Sequence, residues 1–433
     1  MENKICSKVG VMDLLSPPEC VRAMKTLNRE AFKKTIRVTY LDVEKVQMAH
    51  INEPLKKYFL KLSNMKPVHI GTKNRLFLNP LIVRSFEDFP ADICGLLDNL
   101  NISSQAFGEH DITLTYANYN ASSVLKAILP KGEPPLTSFS TIGHIIHLNI
   151  KEHLLDYKNV IAEVLLDKVR NAKTVVYKKN IINNVYRNFE MEILCGEPNF
   201  LTSVIEYGVK FEFDFSKVYW NPRLSTEHDR IVSLLASQDA LFDVFAGVGP
   251  FAVRAAKKRC LVFANDLNPD SYKWLNHNVK LNKKCVGHIT TFNKDGGDFI
   301  MSDTKENLLK IWKDKYFLGN IHIVMNLPAS ALTFLKYFKG LVSESDLANV
   351  DINRIKNCLP IVHCYFFVKE PEQKQAVFER DSEFKYDETI HKFHQVRSVS
   401  TGKDMYRVTF EMPFEIMVVG NSDGPASKRL CRE

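Results

Sequence analysis

No pair of cysteines in this 433-residue chain is spaced Cys-x-x-Cys. The nine present, Cys6, Cys20, Cys94, Cys195, Cys260, Cys285, Cys358, Cys364 and Cys431, are scattered. A zinc ribbon or a dithiol redox pair is therefore not signalled. An odd count without a secretory leader fits a reducing compartment. No apolar run approaches the ~20 residues of a transmembrane helix, so no membrane partner is expected. The opening Met1-Glu2-Asn3-Lys4 has an early acid and no Arg-rich amphipathic pattern, so a transit peptide is not evident. Strong charge is missing too: 58 Lys and Arg stand against 50 Asp and Glu, a net +8. That mild excess permits a nucleic-acid partner without requiring one. His144 and His147, three apart, would point to opposite faces of a strand and make a poor metal pair, so no metal is expected.

What is present is a globular composition, 45% hydrophobic and 25% charged, long enough for two or three domains. The stretch from Ala240 to Asn268 organises it. An apolar run, Leu241 to Ala246, feeds the loop Gly247-Val248-Gly249-Pro250. A helical segment, Phe251 to Arg259, follows, then a second apolar run ending in Asn265-Asp266. Strand, glycine turn, helix, strand and acid make the first half of a nucleotide-binding α/β unit. Asp266 is placed to bond ribose hydroxyls. The dinucleotide fingerprint also fits, as Gly247-x-Gly249-x-x-Ala252. Asp243 at the mouth of the first strand and Asp295 after the third would repel a pyrophosphate. Three acids there suit a ribose, an ammonium and a sulfonium, which favours S-adenosylmethionine; a dinucleotide-dependent oxidoreductase stays as an alternative.

The rest of the chain alternates between strand and helix patterns. A small α/β module spans residues 1–107, with strands near 32–44 and 68–80 and helices near 46–62 and 86–101; its first ~30 residues read as loose. A middle α+β segment covers 108–218, with helices at 121–129 and 157–169. In the third part, 219–416, Thr226 is the expected N-cap of a helix running to Ser237. Further strands are expected at 288–292, 321–325, 361–368 and 405–410, with a helix at 331–338. Residues 341–358 read as a polar insertion, and 417–433 as a disordered tail. The expected fold is α/β, a doubly wound sheet with ligands at its carboxyl edge. Asn326-Leu327-Pro328, after the fourth strand, offers an Asn amide at an angle fixed by Pro, able to hold a planar base by its edge. Arg223, Glu227 and His228 crowd together shortly before the glycine loop.

These segments resemble a known family. Asp243-Val-Phe-Ala-Gly-Val-Gly-Pro-Phe251, Asn265-Asp-Leu-Asn-Pro269 and Asn326-Leu-Pro-Ala329 are similar to motifs of the eukaryotic and archaeal tRNA (guanine-N1)-methyltransferases. Tyr219-Trp-Asn-Pro-Arg-Leu-Ser-Thr-Glu-His228 resembles the segment before their cofactor loop. Ser138-Phe139, Ile142-Gly-His-Ile-Ile-His-Leu-Asn149 and Tyr186-Arg187 resemble their middle domain. The resemblance implies a tRNA-elbow module, a linker domain and a class I methyltransferase domain with a Rossmann-like sheet. It implies S-adenosylmethionine as cofactor and tRNA with G37 as partner. It also implies a monomer working in cytoplasm and nucleus, with the mitochondrial matrix as a further site. By motif position, Glu227 is the implied general base, Arg187 and Arg223 position or polarise the guanine, and Asn326 reads it. Tyr219, His228, Asp243, Phe245, Gly247, Gly249, Asp266, Leu267, Lys294, Asp295 and Asn326 fall where the cofactor is bound. The chain departs from the family at Asp295-Gly296-Gly297-Asp298, whose two glycines leave the start of the next helix open. His228 in place of a basic residue would make a cofactor contact there pH-sensitive.

The implied chemistry is self-consistent. Guanine N1 holds its proton at neutral pH, so a positioned carboxylate must remove it as the methyl group arrives. Charge growing on O6 needs a donor, which an Arg supplies. Two other readings share the fold: an aminocarboxypropyl transferase of wyosine synthesis, and a non-catalytic RNA-binding protein. The spelling Phe245-Ala-Gly-Val-Gly-Pro-Phe251 favours methyl transfer over the first. The joint presence of Glu227, Asp266 and Asn326 argues against the second.

Overall fold

The computed structural model describes residues 14–71, 73–131, 139–178, 191–348 and 350–419. Two compact units emerge, residues 14–178 with 192–198, and residues 199–419.

In the first unit, strands β1 (Lys34–Val43), β2 (Val68–Ile70), β3 (Asn74–Phe77) and β4 (Phe107–Leu114) form a sheet in the order β2-β3-β1-β4. Helix α1 (Lys45–Leu55) ends one residue after Pro54, the proline that interrupts the helical spacing of 46–62 in the sequence. Pro90 likewise divides the helix expected at 86–101 into a 3-10 turn, Phe86–Asp88, and α2 (Ala91–Asn99). A second sheet holds β5 (Phe139–Ile142), β6 (Ile145–Leu148), β7 (Thr174–Lys178) and β8 (Met191–Gly196), with α3 (Ala121–Ile128) and α4 (Lys158–Lys168) nearby in sequence. One core of this unit joins Phe32, Ile36 and Phe77 to Ile128, Val160 and Val175. A smaller one gathers Leu41, Ile51, Leu76 and Leu97.

The second unit opens with a hairpin, β9 (Leu201–Glu206) and β10 (Val209–Asp214), turning through Tyr207 and Gly208 at φ 46° and 73°. Helix α5 (Ser225–Leu234) follows a 3-10 turn over Pro222–Leu224. It begins one residue before the expected cap, with Leu224 at the N-cap, because Asn221 already closes the preceding turn on the Arg223 amide at 3.1 Å.

Next come β11 (Ala240–Asp243), α6 (Ala252–Lys257), β12 (Leu261–Asn265), α7 (Pro269–Leu281), β13 (Ile289–Phe292), α8 (Gly296–Phe299), α9 (Lys305–Lys313) and β14 (Ile321–Met325). The remainder holds a 3-10 helix over Ala331–Phe338, β15 (Val342–Ser343), α10 (Ile352–Lys356), β16 (Ile361–Lys369), α11 (Lys374–Ser382), β17 (Lys392–Ser400) and β18 (Lys403–Glu411). Seven of these strands form one sheet in the order β13-β12-β11-β14-β16-β18-β17. The five from β13 to β16 run parallel, β18 runs antiparallel to them, and β17, antiparallel to β18, returns to their direction. Every residue of β11 and β14 is buried, as in strands covered on both faces. The chain reverses direction across the sheet between β11 and β14, which opens a crevice at their carboxyl ends. Asp243, Asp266, Asp295 and Asn326 all follow or end parallel strands on that edge.

Residues 341–358, read as a polar insertion, are anchored: Leu341, Val342, Leu347 and Ile355 are buried in the main core, and β15 pairs with Val418–Val419. Residues 417–419 therefore do not belong to a disordered tail, because Met417 is buried in the same core, and 420–433 lie outside the described residues. The late strand expected at 405–410 is β18, antiparallel to β16, and a further strand, β17, lies beside it.

Candidate active site

Gly247 and Gly249 take φ 57° and 96°, which L side chains avoid. A Cβ on Gly247 would meet nothing within 4 Å, so the loop there is open to a ligand. A Cβ on Gly249 would lie 2.6 Å from Val253 Cγ2 and 2.7 Å from Leu275 Cδ1, so this glycine lets the loop close on its helices. Asp266 holds the open side. Its Oδ2 accepts the Gly247 N–H at 2.8 Å and its Oδ1 accepts the Asn268 N–H at 2.9 Å. Burial pushes its carboxyl up to about 6, against those two hydrogen bonds.

Asp243 differs from the sequence reading in one respect. Its side chain is fully buried, and neither oxygen has a hydrogen-bond partner among the described residues. Burial, then the charge of Asp266, raises its pKa well above the usual carboxylate range; the amides of Phe245 and Ala252 act the other way without reaching hydrogen-bond geometry. Asp243 is thus a buried carboxyl at the end of β11, still open to a partner, while Asp266 and Asp295 already accept backbone N–H groups.

Asn265, not singled out in the sequence, ties three strand ends together. Its Nδ2 donates to Val244 O at 3.2 Å and Lys294 O at 3.0 Å, and its Oδ1 accepts the Lys294 N–H at 3.0 Å. Asn293 Nδ2 donates to Asp266 O at 2.7 Å and Leu267 O at 3.0 Å, which fixes the loop carrying the exposed Leu267. The Lys294 ammonium turns to Asp303 at 2.6 Å. Asp295 caps α8 by accepting the Gly297 N–H at 2.8 Å. The two glycines do start a helix there, but it continues as a π-helical turn, Ile300–Thr304. Both glycines answer to neighbours: added Cβ atoms would lie 2.7 Å from Phe245 on Gly296 and 2.7 Å from Tyr337 on Gly297. Phe245 packs edge-on against Phe334 at 5.0 Å, so an aromatic wall borders these residues.

Asn326 begins a rigid turn. Leu327 O accepts from Ser330 and Ala331 N–H at 2.9 and 2.8 Å, and Pro328 O accepts the Phe367 N–H at 3.1 Å. The Asn326 Oδ1 is buried and has no partner among the described residues. A buried acceptor left open costs about 1–3 kcal/mol, so it is a place for a ligand's N–H.

Glu227, in the first turn of α5, is only 4% exposed. Its Oε1 accepts from Tyr365 Oη at 2.9 Å and from Arg407 Nη1; its Oε2 lies 3.2 Å from Arg230 Nε and 4.0 Å from His394 Nε2. Tyr365 stays a donor, because burial and then the Glu227 charge raise its pKa well above normal. Phe251, closing the glycine loop, lies between this group and His228: its ring is 6.3 Å from Tyr365 and 4.8 Å from His228. His228 is buried, with Nδ1 2.9 Å from Glu206 Oε1. Glu206 also accepts from Arg254 Nη1 at 3.4 Å, and Arg254 reaches Asp229. These contacts pin α5 to β9 and α6. Arg223 and Tyr219 are exposed, Tyr219 accepting from Asn221 Nδ2 at 3.3 Å. Arg397 is close enough to both that Arg223 helps burial hold its guanidinium pKa down, with Tyr219 opposing. Arg187 lies outside the described residues. Tyr365, Arg407, His394 and Arg397 come from β16, β18 and β17 and were not read from the sequence.

Among the described residues no group of His, Cys, Asp and Glu is arranged to hold a metal, and no helix is long and apolar enough to cross a membrane.

A family model described as the TRM5/TYW2 methyltransferase domain matches residues 202–348, and one described as the TYW2 N-terminal domain matches 121–199. The chain is 58% identical over 413 residues to a tRNA (guanine(37)-N(1))-methyltransferase of Pediculus humanus subsp. corporis, covering 94% of this chain and 89% of that protein. To the protein of the same name in Drosophila melanogaster it is 44% identical over 426 residues, covering 97% and 92%. The crystal structure of wild-type Trm5b from Pyrococcus abyssi shares the fold, with a TM-score of 0.58 at 22% identity over 86% of this chain and 98% of that one.

Proposed function

The chain belongs to the tRNA (guanine(37)-N(1))-methyltransferase family, and from that premise we propose that it methylates N1 of guanosine 37 in tRNA with Glu227 as the base. S-adenosylmethionine is the cofactor, and when bound it supplies the electrophilic methyl group. The residues at the crevice fit it: Asp266 and Asp295 offer acceptors for hydroxyl and amino groups, and Gly247 leaves the backbone open. The observation that carries the reading is the setting of Glu227, a buried carboxylate held by Tyr365 and Arg407 and joined through Phe251 to the glycine loop.

In this reading Glu227 takes the N1 proton through Oε2, whose partner Arg230 is half exposed, with its Nη1 3.4 Å from His394 Nδ1, and gives way to the base. Oε1 stays fixed by its two donors. Asn326 Oδ1 accepts from the N–H edge of guanine and holds the base in plane. Arg223, with Arg187, donates to O6 as negative charge grows there. The rigid turn after β14 and the buried base on α5 keep the reacting edge aligned, which lowers the entropic part of the barrier. The same reading assigns residues 1–107 to the tRNA elbow, 108–218 to a linker and 219–416 to transfer. It makes the enzyme a monomer of cytoplasm, nucleus and mitochondrial matrix; sedimentation and fractionation of the tagged chain check those two points.

The test is transfer from labelled S-adenosylmethionine to unmodified tRNA carrying G37, beside the same transcript carrying A37. The expected result is label on the G37 transcript alone, recovered as 1-methylguanosine with S-adenosylhomocysteine as co-product. Label on both transcripts, or methylthioadenosine as co-product, would overturn it.

A further inference from the structure

Strands β16 and β18 are antiparallel neighbours, with Tyr365 directly opposite Arg407 and His363 directly opposite Thr409. Residues two apart share a face of a sheet, so these four side chains form one patch. His322 of β14, the next strand along, joins it. The contacts run in sequence. Arg407 Nε donates to Thr409 Oγ1 at 3.1 Å, Thr409 Oγ1 lies 3.1 Å from His363 Nδ1, and His363 Nε2 lies 3.1 Å from His322 Nδ1. The two imidazoles stack at 5.4 Å with their planes 5° apart.

One direction of donation fits the chain, leaving the His322 Nε2–H without a hydrogen-bond partner among the described residues. Thr409 accepts from Arg407 and gives its own proton to His363 Nδ1. His363 Nε2–H then donates to His322 Nδ1, and the His322 Nε2–H faces the carboxylate of Asp239 at 3.9 Å. The opposite order would point a His322 lone pair at that carboxylate. Both rings are therefore neutral Nε2–H tautomers, in line with the burial that lowers both their pKa values.

Such a ladder is costly to fold. Arg407 is 8% exposed, His363 1% and His322 5%, in a sheet face that apolar side chains would fill as well. Replacing buried ionic groups by well-packed hydrophobic ones is often neutral or stabilising. The ladder ends on the carboxylate that the proposed reaction uses as its base. We propose that Tyr365 and Arg407 are positioning residues that hold Glu227 for proton transfer, and that Thr409, His363 and His322 anchor Arg407 from behind. The inference rests on the reading of Glu227 as the base. Oε1 takes the Tyr365 and Arg407 donors, which orient the carboxylate, and Oε2, paired with the half-exposed Arg230, is the oxygen assigned to the substrate's proton. Among the described residues, Arg230 from α5 and His394 from β17 are the other charged or titratable groups facing Glu227, and both lie on the Oε2 side.

The experiment uses the full chain with G37 transcript and S-adenosylmethionine, both saturating, in single turnover. Cofactor and tRNA dissociation constants are measured on the same preparations. Glu227→Gln sets the scale, with an expected loss of about 10²-fold or more. Misplacing a reacting group costs up to about 10²-fold, so Tyr365→Phe should lose ~10-fold and Arg407→Met ~10²-fold. Arg407→Lys keeps one donor on Oε1 and should recover part of that loss. Thr409→Val, which touches neither Glu227 nor the crevice, should lose ~3-fold or more by loosening Arg407. Both dissociation constants should stay within about two-fold of wild type, because the loss lies in positioning rather than uniform binding. Wild-type turnover in Tyr365→Phe and Arg407→Met while Glu227→Gln is inactive would overturn the inference and leave the base intact. Rate losses matched by equal losses of cofactor and tRNA affinity would assign the ladder to packing, and overturn it too. Full activity in Glu227→Gln would remove the base itself, a separate failure that takes the inference with it. If Arg407→Met does not fold, Tyr365→Phe decides, since it deletes one hydroxyl from a ring that keeps its shape.

Discussion

Asp266 Oδ2 accepts the backbone N–H of Gly247 at 2.8 Å, so the acid after β12 holds the loop after β11 in its open, left-handed turn. In the proposed reading the same carboxylate also accepts the cofactor's ribose hydroxyls, so one group would both shape the loop and hold the cofactor.

Cofactor affinity should depend on the charge of Asp266. Burial raises its pKa to about 6, so the ionised acceptor present at pH 7.5 is lost as pH falls through 6. The expected outcome is a dissociation constant for S-adenosylmethionine that rises below pH 6, approaching ten-fold per pH unit if only the ionised form binds. Asp266→Asn should bind weakly at every pH and show a flat profile. Titration by intrinsic fluorescence between pH 5 and 8 checks both; a wild-type profile as flat as that of the variant would remove Asp266 from the ribose site.

The fold itself should lose stability in mild acid, with a sign set by His322 and His363. Both are lowered below the ordinary histidine value by burial, His363 the further of the two. Below an unfolded pKa of about 6.5, the unfolded chain takes up protons that the fold refuses, so stability falls as pH drops through that value. Asp243 and Asp266 act oppositely, since their raised pKa values favour the fold as pH falls. The histidine share is isolated by His363→Asn, whose urea midpoint should change less between pH 7.5 and 5.5 than that of wild type. An equal change in both proteins would show that the pair does not govern the acid limb.

The two glycines of the loop should separate stability from binding. Gly249→Ala sets a Cβ 2.6 Å from Val253 and 2.7 Å from Leu275 at φ 96°. Overpacking of that kind costs about 1–3 kcal/mol, and an unfavourable φ adds about 1–2. A domain of this size loses roughly 2–4 °C in Tm per kcal/mol, so a drop of some 5–15 °C is expected. Gly247→Ala has room for its Cβ and should lose little more than the φ cost in stability, yet lose cofactor affinity by ~10-fold or more, because the methyl group points into the approach. Melting curves with and without cofactor distinguish the two; comparable Tm losses would refute the division of labour.

Why some of this was legible in the sequence and some was not follows from local periodicity. The parallel strands and the glycine loop declared themselves because continuous apolar runs met turn residues within one short stretch, 240–268. Strand β17 did not. Its apolar residues, Phe393, Val396 and Val399, fall every third position, because register shifts between Gln395 and Arg397 and between Ser398 and Ser400 break the two-residue alternation. That strand carries His394 and Arg397 to the α5 side of the site. Tyr365 and Arg407 were hidden differently: each lies in a recognisable strand, but their meeting at Glu227, 138 and 180 residues away, is made by sheet order alone. Residues 341–358 misled through their polar composition, although four buried apolar side chains anchor them in the core. The depth of Asp243 was not legible either, since a strand-end acid has the same spelling whether it is buried or exposed.

Asn326 offers the sharpest separation of function from stability. Its Oδ1 is buried without a partner, in a turn whose backbone is already fixed by Ser330, Ala331 and Phe367. Leaving such an acceptor unpaired costs about 1–3 kcal/mol. Deleting it removes that penalty, while the small cavity left by an amide beside an open crevice fills with water at little cost. Asn326→Ala should therefore melt no lower than wild type, and up to several degrees higher. Its turnover should fall all the same, because the guanine edge loses the acceptor that holds it in plane; a site built to hydrogen-bond a substrate group forfeits about 10²-fold or more in kcat/KM when one partner is removed. Stability held or raised with activity lost is the signature of a residue kept for its substrate. A lower Tm with unchanged kcat/KM would mean that the amide serves the turn instead.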